Sequence, residues 1–283
     1  MDVIGFYEGF LLLSVLSLWW KPEKKSGIDM PLLLLGITVL LGLCTGRVTF
    51  GGVGALLLLS ALLYRQERKF SWLYFFLISG MAILLAAHKL PFFHNLLVID
   101  QLILKPGAMP FTMYINGDKI FAGALLLYFL ISRKHLSAWN FWQRSFFLAV
   151  GGSACLLFVP AVLSGILAFS PGFPEFSWLW MINNLFFVSM AEEAFFRGFL
   201  QTQFVRFFAD RGWPRAWGIV VTALLFGFAH YAGGFAYSFW GTCAGLLHGW
   251  LYEKYGQIEA AIVGHFMLNA LHFFLFSYPL LQH

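Results

Sequence analysis

Charge is what this 283-residue sequence has least of: only 11% of it is Asp, Glu, Lys or Arg. A soluble domain carries about 25%, so a water-soluble enzyme and a disordered tail are both excluded. Cysteine is almost as scarce. Cys44, Cys155 and Cys243 each sit inside an apolar run and no two form a CxxC, which leaves no disulfide framework and no thiolate metal site. Basic residues are missing ahead of the first apolar stretch, so a cleaved signal peptide is not expected. Internal repeats and low-complexity segments are absent too.

What is present is apolar: 60% of residues are hydrophobic, with 34 Phe, 11 Trp and 10 Tyr. Runs this long and frequent read as an all-α, polytopic transmembrane bundle of about eight to ten helices. Ten candidates run over 4–20, 30–46, 48–64, 70–87, 120–132, 146–169, 178–200, 216–231, 235–252 and 257–277. The net charge of +5 is no nucleic-acid footprint, because Lys and Arg gather in short loops. With the N-terminus outside, thirteen basic residues fall in inner loops, including Lys21, Lys24, Lys25, Arg133 and Lys134. Four fall outside: Arg47, Lys89, Lys105 and Lys119. The long loop 88–119, rich in Pro and Gly, is expected to be irregular and interfacial.

Charges inside apolar helices are costly, so they carry the information. All five Asp lie in loops or termini. Glu8 lies near a helix end and is expected to reach the interface. Met190–Leu200, MAEEAFFRGFL, places Glu192, Glu193 and Arg197 in one predicted helix. Glu193 and Arg197 are i,i+4 and can neutralise each other. Glu192 is turned about 100° away and must find its partner elsewhere. Downstream, His230 ends Phe226-x-x-x-His230, and His265 and Asn269 share a face at i,i+4. A carboxylate facing an imidazole can hold a water and take its proton, and a second imidazole with an amide suits an oxyanion. His248 and His272 read as packing residues, although His272 shares a face with His265.

Other protease chemistries lack their residues. There is no intramembrane Asp pair, no HExxH and no signature supporting Ser189 as a nucleophile. Zinc on Glu192, His230 and His265 is chemically open but ranks below a metal-free reading. A proton-coupled transporter would show repeated halves, and the acidic motif occurs once.

Glu192-Glu193-x-x-x-Arg197, Phe226-x-x-x-His230 and His265-x-x-x-Asn269 resemble the three signature motifs of the CAAX prenyl protease and bacteriocin-processing family. These are glutamic-type intramembrane proteases, also known as type II CAAX endopeptidases. The resemblance implies a metal-independent endopeptidase without cofactor. Glu192 would be the general base, His230 would help activate water, and His265 and Asn269 would form the oxyanion hole. Glu193 and Arg197 would support them. The core would span 146–283 and residues 1–145 would be a transmembrane extension. The implied partners are the lipid bilayer and a membrane-anchored protein or peptide: a prenylated C-terminus, a leader peptide or a C-terminal sorting anchor. Multispanning architecture favours exported or peptide substrates, in a bacterial inner membrane. The alternative is a non-enzymatic immunity or scaffold protein that binds such a peptide without cutting it.

Overall fold

The computed structural model describes residues 5–20, 29–130 and 140–282. Lys21, Lys24, Lys25, Arg133 and Lys134, used above to orient the chain, lie outside these residues. Each of the ten candidate helices has a counterpart. In order they are α1 (Phe6–Ser17), α2 (Met30–Cys44), α3 (Phe50–Arg68), α4 (Trp72–Ala86), α5 (Gly117–Leu130), α6 (Arg144–Leu163), a long composite helix, α10 (Ala216–Ala229), α11 (Phe235–Tyr255) and α12 (Ile258–Leu275). The composite helix joins α7 (Ser177–Ile182), α8 (Met190–Glu193) and α9 (Thr202–Ala209) through π-helical turns at Asn183–Ser189 and Ala194–Gln201. Among the described residues two helices, α6 and α12, are long and apolar enough to cross a membrane by length and composition.

One expectation is corrected. Loop 88–119 is not irregular: it folds into a two-stranded sheet, β1 (Leu96–Leu102) and β2 (Phe111–Ile115). Both strands are rich in the β-branched, aromatic and aliphatic residues that suit a pleated surface. Lys105-Pro106-Gly107 at the tip, with Gly107 at φ +69°, turns the chain. Helix ends also moved for local reasons. α6 stops at Leu163, before Gly165 at φ +77°, and α11 is closed by left-handed Gly256. The composite helix continues to Ala209, beyond the end expected at 200.

The chain divides into two compact units. The first comprises residues up to Val98, Tyr114–Ser137 and Phe186–Phe195. In it α1 packs on α2, and α3, α4 and α5 pack on one another. Buried Ser14 and Thr38 share a hydrogen bond of 2.7 Å between α1 and α2. Glu8, expected to reach the interface, has a partner within this unit. It is buried, and Oε1 lies 3.3 Å from the Arg47 guanidinium.

The second unit comprises Ile99–Met113, Ala138–Leu185 and Phe196–His283. Here α9 and α10 pack on each other as a helix hairpin that turns at Gly212, with φ +72°. Its core sets Phe146, Val150, Ala154 and Leu157 of α6 against Leu247 and Leu251 of α11 and Ala260 and Leu268 of α12.

Candidate active site

In the first unit, Glu192 and Glu193 are neighbours in the single α-helical turn Met190–Glu193, which runs into π-helix on both sides. π-Turns are rare and concentrate at functional sites, because the extra residue per turn re-aims side chains. Glu193 is fully buried and Glu192 is largely so. Glu192 does have a partner from a different helix, as its rotation away from Glu193 requires. Lys119 of α5 donates to its Oε1 at 2.6 Å. Lys119 is therefore no loop charge and drops out of the topology count. The two helices meet closely here: a Cβ on Gly123 would lie 2.5 Å from Ala191 Cα. Behind Lys119, buried Asp118 accepts from Asn95 Nδ2 at 3.0 Å and pairs with His88 Nδ1 at 2.8 Å.

In the second unit, the residues of the other two motifs line one cavity of about 110 Å³. His230, His265 and Asn269 are all in its wall. So are His248 and His272, both read from the sequence as packing residues; only His272, on the face of His265, carried a signal of a shared cavity. Leu157, Phe158, Ala161 and Leu268 make the rest of the lining apolar.

The motif spacings have visible causes. His230 caps the C-terminus of α10, and its Nδ1 lies 2.8 Å from the Phe226 carbonyl four residues back. A carbonyl only accepts, so Nδ1 carries the proton, and in the neutral ring Nε2 is the acceptor. Phe226 itself is a hub. Its ring lies 4.6 Å from His230, 5.7 Å from His265 edge-on, and 4.8 Å beneath the Arg197 guanidinium. Arg197 is fully buried and donates from Nη2 to the Gly245 carbonyl at 3.2 Å. Asn269 donates Nδ2 to Asn184 Oδ1 at 3.3 Å, leaving that nitrogen a second hydrogen. Sequence reasoning missed Asn184, Lys119 and His248.

His248 stacks on His265, with ring centroids 4.6 Å apart and planes 13° from parallel. A ring nitrogen of each lies within 4.8 Å of one on the other, so this imidazole pair is the place in the cavity wall where a cation could be shared.

The family model described as Type II CAAX prenyl endopeptidase Rce1-like matches residues 174–271. That match decides the resemblance. It spans about a third of the chain and contains all three motifs. The matched family is named for endopeptidases, enzymes that act on peptide or protein substrates. No curated protein matches the chain. No solved structure matches it either.

Proposed function

We propose that the protein is a metal-independent intramembrane endopeptidase that cleaves membrane-associated peptides or C-terminal segments of proteins. The observation that carries the reading is the meeting of His230, His265 and Asn269 in one apolar-walled cavity. Glu192 takes a proton from water while the water oxygen attacks the scissile carbonyl carbon. His230, with Nε2 as acceptor, shares in that activation. The developing oxyanion is held by an N–H of His265 and the second Nδ2 hydrogen of Asn269. Collapse breaks the C–N bond, and the proton passes to the leaving amine. Glu193 and Arg197 support this set from within the same composite helix.

In this reading residues 146–283 form the protease core and 1–145 a transmembrane extension. The protein lies in a bacterial plasma membrane with its N-terminus outside. Exported peptides and sorting anchors are favoured over prenylated substrates.

The test replaces Glu192 with Gln in proteoliposomes. Gln keeps the shape but cannot accept the proton, so cleavage should fall by 10²-fold or more; the melting temperature is measured alongside, because Gln leaves the Lys119 ammonium without its counter-charge. Undiminished cleavage would remove the glutamate from the mechanism. EDTA should leave the rate unchanged; loss of activity restored by added zinc would assign the site to a metal instead.

A further inference from the structure

The three motifs account for Glu192 but give the first five helices no role. We infer that Lys119, on α5, is the positioning residue for Glu192, so that α5 completes the proteolytic machinery; the inference rests on the reading above.

Three observations converge. The Lys119 ammonium holds Glu192 Oε1 at 2.6 Å, with the two side chains 17% and 15% exposed. Such a short charge-assisted bond fixes the direction of a carboxylate as well as its charge. The helices that carry the pair are held in register one turn away. Gly123 follows Lys119 by four residues and packs on Ala191, next to Glu192, at a distance that leaves no room for a side chain. The start of α5 is itself anchored. Asp118 is buried, pairs with His88, accepts from Asn95 and also accepts from the Lys119 backbone N–H at 2.9 Å.

Lys119 is separated from Glu192 by 73 residues, and it touches neither water nor substrate in the proposed reaction. Its work is to present the base. Removing the ammonium would strand one charge in a dry setting and free the carboxylate to turn. Arginine would restore both charge and hydrogen bond.

Wild type, Lys119→Met, Lys119→Arg and Glu192→Gln are compared in proteoliposomes. The probes are internally quenched peptides of one C-terminal sequence, farnesylated and unprenylated, with melting temperatures measured alongside. The expected result is a kcat at least tenfold lower in Lys119→Met with KM within twofold. Lys119→Arg should recover most of it, and adding Lys119→Met to Glu192→Gln should cost nothing further. The inference is overturned, and the glutamate mechanism left standing, if Lys119→Met cleaves like wild type while Glu192→Gln is inactive. It is overturned equally if Met and Arg variants lose activity alike in step with melting temperature. If wild type cleaves neither probe, or Glu192→Gln cleaves as well as wild type, the proteolytic reading falls and this inference falls with it.

Discussion

The two compact units answer buried charge in different ways. In the first, ionised side chains meet partners of opposite sign: Glu8 with Arg47, Glu192 with Lys119. In the second, two buried cations also donate to backbone carbonyls. Arg197 donates to the Gly245 carbonyl, and Lys105 to the carbonyls of Phe273 and Phe276. A charge pair ties two side chains from distant parts of the chain to one geometry. A carbonyl partner holds a cation without bringing in an acid. Among the described residues, the cavity wall of the second unit has four imidazoles and an amide and no carboxylate. The second unit does hold an ion pair of its own, Arg215 with Glu253, but neither residue lines the cavity.

The largest way to break this contrast is to remove an imidazole. His230→Gln should lower kcat by about 10²–10⁴-fold, the range for losing one proton-transfer group. Gln can still donate to the Phe226 carbonyl, so the cap of α10 and the melting temperature should survive. A rate within threefold of wild type would show that the cavity's imidazoles are packing after all.

Next in size is a matched pair of glycines. Each unit has a helix crossing without space for a side chain beside a site residue. Gly123 meets Ala191 next to Glu192; Gly227 lies beside Phe226, where a Cβ would stand 2.6 Å from Ser238 O and 2.9 Å from Thr242 N. Overpacking costs about 1–3 kcal/mol. Both crossings meet backbone atoms, Ala191 Cα in one and Ser238 O and Thr242 N in the other, so both substitutions should fall within that range. Gly123→Ala should cost less stability in proportion to activity, since it pries α5 from α8 and lengthens the Lys119–Glu192 bond. Melting curves and cleavage rates measured on both variants separate the two effects; equal losses in both readouts would mean the crossings do the same work.

What the sequence made legible follows the range of the signal. Helices and motif spacings are local, and the structure explains them locally: Phe226 precedes His230 by four because one helical turn places its carbonyl under Nδ1. The partner of Glu192 was foreseeable only as a need. Its rotation away from Glu193 demanded one, but no periodicity links it to Lys119 on a distant helix. The β-hairpin was hidden by reading with a membrane-length window, which averages seven- and five-residue strands into a loop. His248 was hidden because stacking on His265 joins α11 to α12, and a lone imidazole in an apolar run looks the same whether it packs or serves a cavity.

The smallest prediction tests the second unit's habit of answering cations with carbonyls. Lys105 lies in the β-hairpin loop, 5% exposed, with Nζ 2.7 Å from both Phe273 O and Phe276 O at the C-terminal end of α12. Burial pushes its pKa down from 10.5 to about 8, against the pull of the helix end, which favours a cation. Between about pH 8 and 10.5 the unfolded chain therefore keeps a proton that the folded chain has released. The state binding more protons is the unfolded one, so stability rises with pH across that window and is flat below it. The neutral amine still has two N–H groups for the two carbonyls, so the contact survives the change. Lys105→Met removes both the bonds and the titration. The gap in melting temperature between wild type and this variant should widen from pH 7 to pH 10. A constant gap would mean that the carbonyls keep the ammonium charged despite burial, and that backbone dipoles in this unit serve a cation as fully as a carboxylate does in the other.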